Sequence, residues 1–302
     1  MLPDSKVFKH FEVIRRCGSI REAARQLHIS SSALNRQILQ LEGTLGFPLF
    51  DRLPDGLRLT PAGEIVARHG TTIAQDEQRM HSELDALKGV RRGSVAIATV
   101  ESLTSAFIPA VLERMIGRHP NVRLSVRISG SADAATAVAN GDVDVAIAFV
   151  RHRTEHIRQL AAGRFPLGAI VPPTHPLARR KSLSLAECAR YPMVIPTPEL
   201  SIHDDLRPLI ADPAAAKNIV LQTGSFELLR GLATRGIGVA FANQFGIERE
   251  LAQGLLRHIP LKGVTPYVLG VYVRTERTLP PALDAFVRIA AEEISRREGA
   301  GK

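Results

Sequence analysis

The chain has 302 residues, of which 45% are hydrophobic, and a mean hydropathy of +0.02, which indicates a globular protein with two or three domains and excludes a disordered or fibrous one. The formal net charge of +9 suits a polyanionic partner, but residues 1–93 carry 14 Lys and Arg against 11 Asp and Glu, so charge alone does not locate the binding part. Cys17 and Cys188 are far apart and lack CxxC spacing, so neither a disulfide scaffold nor a zinc site is indicated.

Two helices are predicted at the start of the chain. The first covers residues 5–16, with Ser5 as its cap and an apolar stripe formed by Val7, Phe8, Phe11 and Ile14. The second begins after Ser19, where apolar residues recur at helical spacing: Ile20, Ala23, Ala24 and Leu27. Ser19 as the N-cap and Glu22 three residues later predict a reciprocal capping pair.

A third helix begins after the polar turn of residues 28–30 and has two different faces. Its buried face consists of Leu34, Ile38, Leu41 and Leu45. The opposite face carries small polar side chains and Arg36, with Ser31 at the N-terminal end, where free backbone amides can meet a phosphate. A face of this kind fits the major groove of DNA, so the helix is predicted to contact base edges.

A short hairpin follows the third helix. Strand-like residues 50–52 and 57–60 flank Pro54-Asp55-Gly56, a strong turn signal. Arg52 and Arg58 are placed for flanking phosphates, so we expect Arg52→Ala to weaken binding to all DNA alike. Because Arg36 lies on the helix face that is predicted to contact base edges, we expect Arg36→Ala to reduce sequence discrimination. The predicted DNA-contacting residues are Ser31, Ser32, Asn35, Arg36, Gln40, Arg52 and Arg58.

A long helix is predicted from Thr60-Pro61, a cap followed by proline at the first helical position, to about Lys88. Apolar residues recur at every seventh position: Val66, Ile73, Met80 and Leu87. Leu84 lies beside this row, and Gly63 and Gly70 permit close backbone approach. Such a seam favours a partner helix. A helix packed on its own domain remains the alternative, because polar residues fill the second heptad position: His69, Asp76 and Glu83.

After the basic hinge of residues 89–93, strands alternate with helices. Strands are predicted at residues 94–100, 122–129, 143–150, 167–171, 193–195, 219–222, 239–242 and 267–274. Helices are predicted at residues 104–118, 132–140, 226–234 and 281–297. This order predicts βαβ units and a mostly parallel sheet covered by helices, with the last strand and helix returning to the first lobe.

Several motifs follow one another in a fixed order. They are AAxxL, SSSALNRQIxxLE, LGxxLFxR and LTPAG within residues 5–65, then the looser GDVDVAIAF, AIVPPTHPLA and RGIGVAF. In this order the chain resembles the LysR-type transcriptional regulators over nearly its whole length. Ser31 stands where that family usually has glutamine, and Asn35 where serine is commonest, so the resemblance does not imply which DNA sequence is recognised.

The resemblance implies a multidomain architecture and an assembly. It implies a winged helix-turn-helix DNA-binding domain at residues 1–60, a linker helix at residues 61–89 and an effector domain at residues 90–302. The effector domain would have the two-lobed α/β architecture of periplasmic binding proteins, with lobe I at 94–165 and 269–302 and lobe II at 166–268. The linker helix would pair two subunits, so that a homodimer meets two half-sites on DNA, and two dimers would form the usual tetramer.

Ligands of open α/β sheets bind beyond the carboxyl ends of the strands. Hydroxyls and amides at helix starts suit a carboxylate, so a small organic-acid-like effector is predicted there, although the carboxylate of Glu101 stands against a purely anionic one. Helix capping without ligand contact remains the alternative for each Ser and Thr. The predicted effector-binding residues are Glu101, Ser102, Leu103, Thr104, Ser129, Gly130, Ser131, Phe149, Val150, Arg151, Thr197, Thr223, Phe226 and Asn243.

A basic segment at residues 151–156, RHRTEH, is compatible with an acidic effector or, beyond Arg151, with a solvated loop. His152 and His156 have the i, i+4 spacing of metal ligands but no third ligand close in sequence, so neither a metal nor a cofactor is predicted.

Other classes of protein are less well supported. An enzyme is not predicted, because the chain lacks GxSxG, HExxH, a phosphate-binding glycine loop and a dinucleotide fingerprint. A solute-binding protein for transport would fit the second half, but the first ten residues lack the apolar core of a signal peptide. No run approaches the ~18 to 20 apolar residues of a membrane span, so a cytoplasmic protein without a membrane partner is expected.

Overall fold

The computed structural model describes residues 5–53, 56–67, 69, 70, 73, 80, 93–151, 155–275 and 279–300. The chain divides into two compact units, Met1–Val90 and Arg91–Lys302. Each unit has its own hydrophobic core. Among the described residues, no helix is both long enough and apolar enough to cross a membrane.

The first unit contains three helices and a hairpin. The helices are α1 (Ser5–Cys17), α2 (Ile20–Gln26) and α3 (Ser31–Leu45), and the hairpin pairs β1 (Phe50–Leu53) with β2 (Gly56–Leu59) in antiparallel register. Their apolar faces meet in one core that includes Phe11, Ile14, Ala23, Ala24, Leu34, Ile38, Leu41 and Leu49. The predicted buried face of the third helix is confirmed, with Leu45 half-buried at its end.

The helix caps follow the predicted chemistry with one difference. Ser19 caps α2 and accepts a hydrogen bond from the Glu22 amide, but the Glu22 carboxylate pairs with Arg25. Only half of the predicted reciprocal capping pair is therefore present, because a nearby guanidinium competes for the carboxylate. Ser30 caps α3 by accepting from the Ala33 amide. The helix ends at Gly46, whose φ of 76° is the left-handed conformation that favours glycine.

The predicted long helix begins as expected. Residues 61–67, which we label α4, are helical, and the Thr60 hydroxyl accepts a 3.0 Å hydrogen bond from the Gly63 amide. A Cβ at Gly63 would lie 2.1 Å from the Leu49 carbonyl oxygen, so the close approach there is to its own unit. Residues 69, 70, 73 and 80 are also helical. Most of the predicted rod lies outside the described residues, including Leu84 and Leu87 of the seam.

The second unit has two lobes, each built around its own sheet. The first lobe has a five-stranded sheet in the order β4-β3-β5-β12-β6. Its strands are β3 (Gly93–Thr99), β4 (Val122–Ile128), β5 (Val145–Ala148), β6 (Ile157–Phe165) and β12 (Tyr267–Arg274). The helices packed against it are α5 (Phe107–Arg118), α6 (Ser131–Asn140) and α12 (Pro281–Ala300).

The second lobe is assembled from shorter elements. Its strands are β7 (Gly168–Val171), β8 (Met193–Pro196), β9 (Ile219–Thr223), β10 (Ala240–Ala242) and β11 (Arg257–Pro260). Three form a sheet in the order β10-β7-β11, and β8 pairs with β9. Its helices are α7 (Leu185–Cys188), α8 (Arg207–Ala211), α9 (Pro213–Ala216), α10 (Phe226–Thr234) and α11 (Glu248–Ala252).

The prediction of a mostly parallel sheet is wrong, because the first-lobe sheet is mixed and the three-stranded sheet of the second lobe is antiparallel. β3 pairs in parallel with β4 and β5, whereas β12 is antiparallel to both β5 and β6. In the second lobe β7 is antiparallel to β10 and β11. The reason for the mixed first sheet is connectivity: the chain leaves that sheet after β6, builds the second lobe and re-enters with β12 in the opposite direction.

Candidate nucleic-acid interface and ligand cleft

The outer face of α3 is polar and accessible. Ser31, Ser32, Arg36 and Gln40 are exposed, while Asn35 is half-buried. Leu34, Ile38 and Leu41 on the opposite side anchor the helix in the core, which fixes the outer face in orientation. Leu39 lies on the outer face as well and is 49% exposed, so an apolar side chain is available beside the polar ones.

The hairpin is joined to α3 by side chains. The Arg52 guanidinium donates a 3.1 Å hydrogen bond to Asn35 Oδ1, and the Glu42 carboxylate accepts from the Leu49 amide at 2.7 Å. Glu42 was not predicted as a positioning residue, since nothing in the local pattern shows that it reaches the strand. Arg58 projects from β2 with 72% of its side chain exposed, 4.0 Å from Asp51. Pro54 and Asp55 of the predicted turn lie outside the described residues.

A cleft of about 210 Å³ lies between the two lobes of the second unit. Eight of the fourteen predicted effector-binding residues line it: Glu101, Ser102, Ser129, Gly130, Ser131, Phe149, Phe226 and Asn243. Val100 and Gly224 also line it, and the lining residues that were not predicted from the sequence are Ile128, Glu199, Leu200, Ser201, Ile202 and Ala242. Apolar side chains therefore make up much of the wall.

Two buried polar side chains and a helix start line the cleft. Asn243 is 5% exposed, and its Oδ1 accepts a 3.0 Å hydrogen bond from the Phe245 amide. That bond orients the Asn243 Nδ2 donors towards other partners, and they have none within the described residues. Ser131 is 7% exposed and opens α6, whose N-cap, Gly130, provides no side-chain acceptor. The cleft therefore presents hydrogen-bond donors to an acceptor group.

Two carboxylates also line the cleft. The Glu101 carboxylate accepts hydrogen bonds from the backbone amides of Phe226 and Glu227. The Thr197 hydroxyl and the residue's own amide hold the pKa of Glu199 below its usual value. No Lys or Arg is found among the described residues that line this cleft. The charge of the cleft walls therefore disfavours a ligand with several negative groups.

Six predicted effector-binding residues lie outside this lining: Leu103, Thr104, Val150, Arg151, Thr197 and Thr223. Leu103 is fully buried in the core, so its side chain cannot reach a ligand. The hydroxyl of Thr104 donates to the Glu101 carbonyl oxygen at 2.7 Å, and that of Thr223 accepts from the Ser225 amide at 3.1 Å. These hydroxyls serve the local backbone, which is the alternative that the sequence left open.

Arg151 takes part in a different cluster. Its guanidinium donates to Asp205 at 2.5 Å and to the Tyr267 hydroxyl at 3.0 Å, and the Tyr267 hydroxyl also contacts Asp205. Burial and the adjacent Asp205 raise the pKa of Tyr267 well above its usual value. With Val150 and Thr265, Arg151 lines a second depression of about 280 Å³. The cluster ties the second lobe, through Asp205, to the first-lobe strand β12.

The remaining titratable candidates are histidines and cysteines. His152 lies outside the described residues, so its spacing to His156 is not described in the structure. The described residues contain no group of three or more His, Cys, Asp or Glu able to hold a metal. Cys17 and Cys188 are free thiols. Burial raises the pKa of Cys188 to about 12, which makes it unreactive at neutral pH.

Comparison with known proteins identifies both parts of the chain. Residues 6–64 match the family model described as "Bacterial regulatory helix-turn-helix protein, lysR family", and residues 88–295 match "LysR substrate binding domain". The RuBisCO operon transcriptional regulator of Allochromatium vinosum is 29% identical over 290 residues, which is 95% of this chain and 95% of that protein.

Solved structures share the fold at lower identity. A full-length OxyR variant from Pseudomonas aeruginosa has a TM-score of 0.72 at 16% identity and covers 97% of this chain and 95% of its own. Full-length CbnR, solved with its target DNA, has a TM-score of 0.61 at 18% identity and covers 96% of this chain and 100% of its own. The predicted combination of a helix-turn-helix head and a two-lobed α/β domain is confirmed.

Proposed function

Because the chain belongs to the LysR family of DNA-binding transcriptional regulators, we propose that α3 and the β1–β2 hairpin bind promoter DNA and that a small molecule in the interlobe cleft adjusts the response. The observation that carries the DNA part is the exposed polar face of α3, held rigidly by its buried face and joined to the hairpin at Arg52. Polar side chains on a fixed helix can discriminate base edges in the major groove.

The DNA contacts divide by position. Ser32, Asn35, Arg36 and Gln40 on the outer face of α3 contact base edges, and Ser31 meets a phosphate near the helix N-terminus. Arg58 binds a flanking phosphate from the hairpin, and Arg52 contacts phosphate while it holds Asn35. One copy of this surface covers too few base pairs to select a promoter, which is why an oligomer is part of the proposal.

The oligomer forms through the linker helix at residues 61–89. Val66, Ile73 and Met80 are helical positions seven residues apart. Val66 packs against the core of the first unit, whereas Met80 is 50% exposed and can pack against a partner helix. A dimer then presents two α3 helices to two half-sites, and two dimers form a tetramer. The functional domains of this proposal are residues 1–60, 61–89 and 90–302. The predicted lobe II at 166–268 ends two residues earlier in this proposal, at 266, because β12 of the first-lobe sheet begins at Tyr267, and lobe I comprises 94–165 and 267–302.

The effector is a small molecule with one acidic group and an apolar body. Its acidic group accepts hydrogen bonds from Asn243 Nδ2, Ser131 and the first amides of α6. Its body packs against the apolar wall, in which Ile128, Phe149, Leu200 and Phe226 take part. Binding of the effector in the cleft shifts the two lobes relative to each other. This conformational change is transmitted to the DNA-bound oligomer.

Catalysis, a metal and a cofactor are not part of the proposal, and the protein acts in the cytoplasm, where promoter DNA is found. The proposed role predicts no turnover of any metabolite bound in the cleft. Conversion of a compound by the purified protein, abolished by a substitution of Asn243, would instead support an enzyme.

The DNA part is tested by gel-shift titration of the full chain with its own upstream region, adjacent promoters and random DNA of equal length. We expect tighter binding to at least one of the promoter fragments. Equal affinity for all fragments would contradict a sequence-specific regulator. The effector part is tested separately by a thermal-shift screen of small organic acids, in which at least one compound should raise the melting temperature.

A further inference from the structure

Glu101 connects the two lobes at the edge of the cleft. It lies in a turn of 3-10 helix, Glu101–Leu103, that follows β3 in the first lobe. Its carboxylate crosses to the second lobe and accepts hydrogen bonds from the Phe226 amide at 2.8 Å, the Glu227 amide at 3.2 Å and the Ser225 hydroxyl at 3.4 Å. The two amides belong to the first turn of α10, where backbone donors have no partner within the helix.

The Glu101 carboxylate occupies the place at the start of α10 where a helix N-terminus can bind an anion. A nine-residue helix such as α10 carries partial positive charge at its start, and its free amides bind carboxylates and phosphates. Ser225 already caps the helix by accepting from the Leu228 amide, so the external carboxylate supplies the acceptors for Phe226 and Glu227. In many binding proteins a ligand would supply this group; here the chain supplies its own.

The lobes are in close contact beside this carboxylate. Gly246 of the second lobe has φ of 80°, and a Cβ there would lie 2.9 Å from the Ser102 carbonyl oxygen of the first lobe. Gly130 of the first lobe approaches the second lobe in the same way, since a Cβ on Gly130 would lie 3.1 Å from the Glu199 carbonyl oxygen. The Glu101 hydrogen bonds therefore span an interface where the two backbones already touch.

We propose that Glu101 is an internal ligand: its carboxylate fills the anion site at the start of α10, holds the lobes together without effector, and keeps a second acidic group out of this end of the cleft. The last consequence rests on the proposed effector function, whereas the first two do not. Because Phe226 lines the cleft and donates to Glu101, the contact also fixes one wall against which the effector packs.

Other contacts across the lobes limit what removal of this carboxylate does. Arg297 of α12 binds Glu248 at 2.7 Å, and Arg151 binds Asp205, so the lobes keep two further ionic links. Loss of Glu101 should therefore act locally, on the amides that it binds, without unfolding the second unit. Those amides are good reporters, since the Glu101 carboxylate is their acceptor and they have no helical one.

The test compares amide hydrogen exchange at Phe226 and Glu227 in the full-length wild type and in Glu101→Ala. We expect exchange in the variant to be roughly tenfold faster or more, the change that corresponds to losing a hydrogen bond to a charged group. Sodium acetate, with sodium chloride at equal concentration as the reference, should bind the vacated site, slow the exchange again and raise the melting temperature of Glu101→Ala. It should have no such effect on the wild type, whose site is filled.

Glu227→Ala is the matched control, because the Glu227 carboxylate lies on the same helix turn but binds Arg230 within α10. It should exchange like the wild type and show no acetate effect. If Glu101→Ala does not fold, Glu101→Gln, which keeps the shape and one acceptor oxygen, should still accelerate exchange at one of the two amides. Unchanged exchange in either Glu101 variant, or no slowing by acetate in Glu101→Ala, would overturn the proposal. None of these readouts depends on DNA or on the natural effector, so a failed gel shift would leave them interpretable.

Discussion

The guanidinium of Arg52 on the hairpin donates a 3.1 Å hydrogen bond to the side-chain oxygen of Asn35 on α3. The hairpin and α3 are therefore linked by a side chain that also carries a positive charge. If Arg52 contacts phosphate and Asn35 contacts bases, as proposed, the two roles are not independent, because Arg52 orients Asn35. The sequence alone suggested that Arg52 acts only on the DNA backbone.

Arg52→Ala and Arg58→Ala should differ in their effect on specificity. Arg58 is largely exposed and 4.0 Å from Asp51, so its removal should weaken binding to promoter and random DNA by the same factor and reduce the salt slope by about one. Arg52→Ala should weaken binding to promoter DNA and to random DNA. It should also reduce the ratio of the two affinities, because Asn35 loses its hydrogen bond from Arg52. Titrations of both DNAs at several salt concentrations measure this. Identical loss of discrimination in the two variants would contradict the linkage.

Arg36→Ala should mainly reduce discrimination. Arg36 is exposed on the outer face of α3, and an arginine that contacts a guanine edge contributes about 1–3 kcal/mol of discrimination at one base pair. We expect promoter affinity to fall by that amount and affinity for random DNA to change much less. Arg257→Ala, which removes the same charge from an exposed site in the second unit, serves as the control. An Arg36 variant that behaves like this control would exclude a base contact.

The local sequence pattern was sufficient to predict the bounds of helices and strands that bury one apolar face. The helix at Phe226–Thr234 and the strand at Tyr267–Arg274 have the predicted bounds. β6 was not predicted, since Arg158, Gln159 and Arg164 obscure its alternation and its pairing with β12 is visible only in three dimensions. The direction of the strands was missed for the same reason. The antiparallel ladders of the second unit join residues 70 to 126 positions apart, and no local sequence signal records such a pairing.

The residues that line the cleft were predictable only in part. The strand-end rule selected Ser129, Gly130 and Ser131, which line it, but it also selected Arg151, whose charge is used by Asp205 fifty-four residues away. The loop with Glu199, Leu200, Ser201 and Ile202 was missed, although it follows β8, because only Thr197 stood out by its chemistry. Which polar groups are free for a ligand depends on partners from the other lobe.

Asn243→Asp should abolish binding of an acidic effector. The substitution keeps the Oδ1 acceptor for the Phe245 amide but replaces the Nδ2 donors with a negative oxygen, which repels a carboxylate. We expect an organic acid that stabilises the wild type in a thermal-shift screen to lose its effect on the variant. Gln222→Glu adds the same charge at an exposed position outside the cleft and should respond like the wild type. If the organic acid stabilises Asn243→Asp as it does the wild type, the acidic group of the effector does not bind at Asn243.

Glu293 should make the second unit sensitive to acid. It is 2% exposed, and although burial opposes its ionisation, hydrogen bonds from Arg296 and Arg297 outweigh this and lower its pKa below the usual 4.5. A lowered folded-state pKa means that the stabilisation is present above pH 4.5 and is lost as pH falls below it, because the unfolded chain takes up the proton first.

Glu293→Gln should therefore lower the free energy of unfolding at pH 7 by roughly 2 to 4 kcal/mol and flatten its decline in acid, since Arg297 is left with Glu248 alone. Glu292→Gln is the matched control: the neighbouring carboxylate is exposed, pairs with Arg114 at the surface and should change stability by less than about 1 kcal/mol. Urea unfolding of both variants from pH 7 down to about pH 3, which includes the range below 4.5 in which the stabilisation is lost, measures the difference. Because Arg297 also lies over the rings of Phe107 and Phe245, which come from the two lobes, a Glu293 variant as stable as the Glu292 variant would show that this stacking and Glu248 suffice to hold the guanidinium.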